Sequence, residues 1–439
     1  METEPAAEIP VTPDELRPVT EKQRHTSVDV LRGFALLGIL AMNIIAFAFP
    51  MEVYFNPLLM GGFEGWDRVE WMVAHLLFDQ KFMTIFSMLF GAGMILMAQR
   101  ASKGQKLARV HYRRCFWLML IGMLHAYLIW WGDILFFYAV CGFLTYLFRK
   151  MKPINLVIAG SLAVLVPIPL TYGFSFLLER MQASAEAAQV RLDGGEELNE
   201  QEQKALQEWE DAGTGLVASE EKLQQRVDLH RGGYLALVAQ RAPKMAQMQL
   251  ANTFTFILWR VGGLMLIGMA LMKWGVFSAS LSRRAYLILL AVGYGAGLPL
   301  AAFSASGLIQ NQFGVVYFFR SGLAHNYFAS ILVALGHIAV MMLLCQSGAL
   351  QRLKDRLAAV GRTAFSNYLL QSVICTTLFY GYGLGWYAYW SRGELVLVVV
   401  AVWAIQLLIS PLWLRRFRFG PAEWVWRSLT YWKLQPMKR

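Results

Sequence analysis

Charge is scarce in this chain: Asp, Glu, Lys and Arg make up only 16% of 439 residues, against 57% hydrophobic. That excludes a disordered chain, and a soluble domain of this length would need more polar surface. The four cysteines form no Cys-x-x-Cys pair, which argues against a disulfide framework or a structural zinc site. No cluster of histidines and carboxylates has ligand spacing, so no metal is expected. The first 25 residues hold proline and acidic residues around no apolar core. No cleavable signal peptide is therefore expected, and the first apolar run must serve as its own targeting signal.

What the chain has in abundance is long apolar runs. A bilayer core of roughly 30 Å needs about 20 helical residues to cross it. Ten runs approach that length, near 31–50, 81–98, 115–131, 133–148, 153–178, 251–274, 284–304, 326–348, 363–381 and 394–414. The expected fold is an all-α integral membrane protein, a bundle of about ten transmembrane helices. Residues 69–80 read as an amphipathic or re-entrant approach to the second run. Trp131, Gly132 and Asp133 leave room only for a tight hairpin between the third and fourth.

The formal charge of +11 does not point to nucleic acid, because the basic residues gather at span ends. Examples are Arg109, Arg113 and Arg114, then Arg149, Lys150 and Lys152, then Arg415, Arg416 and Arg418. This is the positive-inside pattern, with anionic membrane lipids as the partners it implies. Arg17, Lys22, Arg24, Arg100, Lys103, Lys106, Arg352, Lys354, Arg356 and Arg362 mark the cytoplasmic side, so both termini are expected there. Residues 179–250 carry 13 acidic and 8 basic residues, net −5, and belong outside. Their Ala/Glu/Gln/Leu-rich runs, broken at Gly194-Gly195 and Gly232-Gly233, predict an extracytoplasmic helical hairpin. The expected organisation is a cytoplasmic tail (1–26), five helices (27–178), the insert (179–250), five more helices (251–419) and a second cytoplasmic tail (420–439).

Polar residues inside apolar spans are costly, so they mark either a partner or a task. His125 lies ten residues past Cys115, about 15 Å along a helix, and Asp133 follows just beyond the turn. A histidine there suits a general base, with helix packing as the competing reading. Asn43 offers an amide to a carbonyl oxygen or, equally, to a neighbouring helix. His75 and Asp79 are four apart with Lys81 close by, at an outer mouth open to solvent. Arg260 has no local carboxylate, so it pairs with another helix or binds an anionic substrate. Asn367 and Gln371 form an amide stripe. Arg32, Arg113, Arg114 and Arg362 compose an anion site at the inner face, although topology alone also puts basic residues there. His337 reads as structural.

Several motifs together resemble the YeiB-like family of bacterial membrane proteins. The opening is Ser27-Val-Asp-Val-Leu-Arg-Gly-Phe-Ala-Leu-Leu-Gly-Ile-Leu-Ala-Met-Asn43, followed by Lys81-Phe82, Leu89-Phe-Gly-Ala-Gly93 and His125 with Gly132-Asp-Ile-Leu135. Gly361-Arg-Thr-Ala-Phe-Ser-Asn-Tyr-Leu-Leu-Gln371 and Gly420-Pro-Ala-Glu-Trp-Val-Trp-Arg427 complete the set. That family is similar in turn to transmembrane acyltransferases such as heparan-alpha-glucosaminide N-acetyltransferase, chiefly through the Asp-x-Leu-Arg-Gly opening and Asn43. The resemblance implies a bacterial inner-membrane location. It also implies transfer from cytoplasmic acyl-CoA or acetyl-CoA to a hydroxyl or amine beyond the membrane, on a small molecule or glycan. In the lysosomal enzyme a histidine follows the first-span asparagine closely, whereas Pro50-Met-Glu-Val-Tyr54 contains none. His125 takes that place here.

On this reading Arg32, Arg113, Arg114 and Arg362 hold the CoA phosphates, and His125, Asp133 and Asn43 carry the chemistry. His75, Lys81, Arg260 and Gln371 contact substrate. A homodimer is admitted as an oligomeric state, and nucleic acid is not a partner. The alternatives are a small-molecule transporter or channel, or a noncatalytic envelope partner whose insert binds another protein.

Overall fold

The computed structural model describes residues 25–100, 107–213 and 219–439. The tail markers Arg17, Lys22 and Arg24, and the loop markers Lys103 and Lys106, lie outside the described residues. Among the described residues there is no β-strand, only an isolated antiparallel bridge between Phe417 and Lys438. The first half runs α1 (Thr26–Ala48), α2 (Gly65–Val73), α3 (Lys81–Arg100), α4 (Leu107–Leu124), α5 (Leu135–Thr145), α6 (Pro153–Leu165) and α7 (Pro167–Asp193). The insert adds α8 (Glu200–Gly213), α9 (Glu220–Arg231) and α10 (Tyr234–Asn252). The second half runs α11 (Leu258–Lys273), α12 (Arg283–Gln310), α13 (Leu323–Gln346), α14 (Gln351–Arg362), α15 (Ala364–Phe379), α16 (Arg392–Arg416) and α17 (Pro421–Tyr431).

Seven helical stretches among the described residues are long and apolar enough to cross a membrane. They match seven of the ten expected runs. The remaining three, near 115–131, 133–148 and 363–381, fall on shorter or more charged helices. The 18 residues of α4 include Arg109, Arg113 and Arg114, α5 has 11 residues, and α15 has 16. Ten spans are thus not supported by helix length and composition.

Burial separates a centre from a lipid-facing rim. Past Arg32, α1 is apolar apart from Asn43 and is buried on nearly every face, as a central helix should be. In contrast α6, α12 and α16 expose Leu162, Ile288 and Leu397. α1 and α14 cross with their main chains touching. A β-carbon on Gly33 would lie 1.9 Å from the Leu357 carbonyl oxygen, and one on Gly361 would lie 1.9 Å from that of Asp29. Only glycine permits that approach at both positions.

The insert has more parts than a hairpin. α7 continues unbroken from within the bilayer to Asp193, and α10 continues into α11 through a π-helical turn, Thr253–Ile257. Nothing in the sequence at either expected boundary interrupts the helical hydrogen bonds. Two of the divisions fall where glycine was expected to put them, with Gly195 in the left-handed region (φ 78°) and Gly232 capping α9, while the division between α8 and α9 was not expected. The insert docks at the end of α1 opposite Arg32. Arg226 pairs with Glu52, the Gly381 N–H donates to the His230 carbonyl (2.8 Å), and Arg231 Nε donates to the Tyr387 carbonyl (2.9 Å). His230 stacks on Tyr387 with ring centroids 4.3 Å apart, and its burial lowers its pKa to about 4. It is therefore neutral at physiological pH.

Candidate active site

Helix α4 ends in a π-helical turn, His125–Ile129, after which Trp130 is extended and α5 begins at Leu135. This tight reversal brings Asp133 back over His125. His125 Nδ1 lies 2.9 Å from Asp133 Oδ1, and its Nε2 lies 2.9 Å from the Ser372 hydroxyl on α15. Asp133 Oδ2 accepts the Phe136 N–H at 2.8 Å, which fixes the carboxylate at the first turn of α5. All three side chains are buried. A carboxylate only accepts, so the hydrogen-bond network assigns the proton to Nδ1 and leaves Nε2 to accept from Ser372. Asp, His and Ser in this order form the geometry of an activated hydroxyl.

A cavity of about 310 Å³ approaches this relay from the N-terminal end of α1. Its lining includes Arg32, Arg114, Arg362 and Arg427 together with Leu36, Tyr138 and Tyr368. The Tyr368 ring lies 5.2 Å from that of His125. Two of the guanidinium groups are held on aromatic faces, Arg114 at 4.5 Å over Trp426 and Arg427 at 4.7 Å over Phe419. Arg32 Nη1 donates to Asp29 at 2.7 Å. Of the four expected mouth residues, Arg113 is not part of the cavity wall; Arg427 lines it. Glu423, from the same C-terminal motif, caps α15. Its Oε1 accepts the Phe365 N–H (2.7 Å) and the Ser366 N–H (3.2 Å), and Oε2 accepts from the Ser366 hydroxyl.

A second polar cluster lies within the bundle. The solvated outer mouth expected for His75 and Lys81 is not found, because both are buried. The left-handed Gln80 (φ 61°) turns the chain so that Lys81 points inward. Lys81 Nζ donates to the His75 carbonyl (2.5 Å) and to Asn326 (2.6 Å), while Asn326 Nδ2 donates to Asp79 (2.5 Å). The π-turn at Ala74–Phe78 sends the His75 ring to Ser304, 3.3 Å away, rather than to Asp79. Arg260 packs over Tyr327 at 4.0 Å and donates to Ser330 at 2.7 Å.

Gln371 donates to Gln406 at 3.0 Å, and Asn367 donates to Ser410 and to Thr363, each at 2.9 Å. These amides join α15 to α16. Asn43 is half-buried and contributes no hydrogen bond to the relay, nor does it wall the cavity. His337 is satisfied by Tyr294 (2.6 Å) and the Leu77 carbonyl (2.9 Å), as a structural histidine should be.

Ser372, Tyr368, Glu423 and Arg427 were not assigned roles from sequence. The Tyr368/Ser372 pair, four apart beside the amide stripe, was the available signal for two of them. The Gly420–Arg427 motif held the others.

Fold and site together define a polytopic all-α membrane protein with a buried Asp-His-Ser relay at the inner end of a basic-mouthed cavity. Residues 271–433 match a family model described as a protein of unknown function, DUF418. Over 438 residues the chain is 33% identical to the uncharacterized protein YxaH of Bacillus subtilis (strain 168), covering 97% of this chain and 98% of that one. Over 416 residues it is 32% identical to the uncharacterized protein YeiB of Escherichia coli (strain K12), covering 93% and 96%. An uncharacterized 39.9 kDa protein in the amylase 3' region of Bacillus acidopullulyticus is 26% identical over 422 residues, covering 94% and 96%. The chain belongs to the YeiB-like family.

Proposed function

We propose that this protein is an acyltransferase of the bacterial inner membrane, with both termini cytoplasmic, moving an acyl group from cytoplasmic acyl-CoA to an extracytoplasmic hydroxyl or amine. The observation that carries the reading is the continuity from four arginines at the cavity mouth to Tyr368, and from Tyr368 to the His125 relay. The mouth suits the phosphates of CoA, and the apolar wall suits the pantetheine arm. His125 Nε2 takes the Ser372 proton as Oγ attacks the thioester carbonyl. The C–S bond then breaks, and CoA leaves with that proton. In the second half, His125 accepts the proton of the acceptor hydroxyl or amine, which attacks the acyl-serine, and Ser372 regains a proton as it leaves. Asp133 holds the imidazole in the required tautomer throughout.

The test is acetyl-CoA binding and CoA release by purified protein in nanodiscs, with intact-mass analysis for an acetyl adduct on Ser372. Binding that survives His125→Ala, with CoA release that does not, supports the reading. No binding of acetyl-CoA or of longer acyl-CoAs would end it. At the mouth, Arg114→Gln and Arg427→Gln are each expected to weaken acetyl-CoA binding about tenfold and to reduce its salt dependence. Titration calorimetry at two ionic strengths reads this directly.

A transporter reading has one feature in its favour, the buried charges Lys81 and Arg260 with the half-buried Asp79, which suit a substrate or ion path. Solute flux into proteoliposomes, with acyl-CoA inert, is the outcome that would favour it.

A further inference from the structure

The face of α10 that packs inward carries Leu237, Arg241, Met245 and Gln249, spaced four apart. It rests on the π-turn that holds His125. Tyr127 donates to Gln249 at 3.3 Å, and Tyr234 donates to the Leu128 carbonyl at 2.9 Å. Arg241 is only 6% exposed, and neither of its Nη atoms has a hydrogen-bond partner among the described residues. The Tyr380 hydroxyl, fully buried at the end of α15, is likewise unpartnered, as is the Trp130 indole N–H. Arg241 lies within electrostatic reach of Tyr380, Tyr382 and His230. Arg226 pairs with Glu52, and Lys244 adds a further positive charge near His230.

Arg241, Tyr380 and Trp130 can all donate, and Arg241 carries a full charge in a buried place. A buried guanidinium without a counter-charge is costly, so such a group is explained by an anion that it binds. Trp130 links this region to the chemistry. It stacks on Phe47 at 3.9 Å and lies 6.5 Å edge-on from the His125 ring, whereas the arginine-mouthed cavity meets His125 through Tyr368. His125 therefore sits between the arginine-lined cavity at one end of α1 and the residues packed beneath the insert at the other.

We propose that Arg241 and Tyr380 form an anion subsite under the insert, which selects an acceptor bearing a carboxylate or phosphate beside its nucleophilic hydroxyl or amine. The substrate assignment rests on the acyltransferase reading; the anion site itself does not. Arg241 supplies the charge, Tyr380 a single directed O–H, and helices α9 and α10 exclude water from both.

The test reads binding without acyl-CoA, so the two ideas fail separately. Full-length protein in phosphatidylcholine nanodiscs would be titrated calorimetrically with glycerol 1-phosphate and with lactate. Saturable binding of at least one probe is expected, weakened tenfold or more in Arg241→Gln and several-fold in Tyr380→Phe. Competition by phosphatidylglycerol placed in the nanodisc would identify a lipid headgroup as the physiological source of the anion, and absence of competition a soluble one. Either result upholds the site. Equal affinity in the wild type and in Arg241→Gln, or no binding of either probe by folded wild-type protein, would overturn it. If Arg241→Gln does not fold, Tyr380→Phe decides alone, with unchanged affinity as the refuting result. Anion binding that follows this pattern in a protein inert toward acyl-CoA would sink the acyltransferase reading and leave the site standing.

Discussion

If the proposed acyl transfer is the reaction, exchanging Asp133 for asparagine is expected to slow it by about 10³–10⁴-fold while changing acetyl-CoA affinity by no more than roughly twofold. The carboxylate has two commitments, Oδ1 to His125 Nδ1 and Oδ2 to the Phe136 N–H. Asparagine has one acceptor oxygen. With that oxygen kept on the backbone N–H, its amide N–H₂ faces Nδ1, which must then accept rather than donate. The imidazole proton moves to Nε2, where it blocks acceptance of the Ser372 proton. The fold loses little, because the first turn of α5 keeps its acceptor. Comparing kcat with KM for CoA release separates this from a general loss of structure, since the effect belongs in kcat. Turnover within tenfold of wild type would show that the tautomer of His125 is irrelevant to the reaction.

Replacing Glu423 with alanine is expected to destabilise the fold by roughly 2–4 kcal/mol. Alanine leaves two N–H groups at the start of α15 and the Ser366 hydroxyl without their acceptor. α15 carries both Tyr368 and Ser372, so the loss propagates to the cavity wall and the relay. Burial raises the Glu423 pKa, against the hydrogen bonds that lower it. The folded state therefore favours the neutral acid more than the unfolded chain does, and stability contributed by the protonated form declines as pH rises through that range. Glu423→Gln, neutral at all pH and still carrying an acceptor oxygen, is expected to cost about 1 kcal/mol or less. Thermal unfolding of the three proteins in the same lipid nanodiscs checks the order. A melting temperature for Glu423→Ala equal to wild type would mean that α15 is held elsewhere.

What was legible from sequence follows the physics of each signal. Apolar length found the long spans because the bilayer imposes that length directly. Helix length and composition support seven of the ten, because apolar length does not register the π-turn after Leu124 or the shortness of α5 and α15. The tight Trp131-Gly132-Asp133 turn allows His125 and Asp133 to face one cavity, but it does not dictate the direct contact between them. Ser372 was hidden because its partner lies 247 residues away, and serine in a span is ordinarily unremarked. The burial of Lys81 was misread for a similar reason. Proximity to a loop suggested solvent, whereas the left-handed Gln80 and the distant Asn326 draw it inward. Of the arginines, position at helix ends identified Arg32, Arg114 and Arg362, while Arg427 entered the mouth only through the docking of α17.

The main-chain contact between α1 and α14 also acts as a gauge. Gly33 and Gly361 are the immediate neighbours of Arg32 and Arg362, so the separation between those two guanidinium stems is set by backbone touching backbone. Side-chain repacking cannot widen that interval, and a single methyl group at either glycine would. The spacing of two of the arginines that line the cavity is therefore written into peptide geometry.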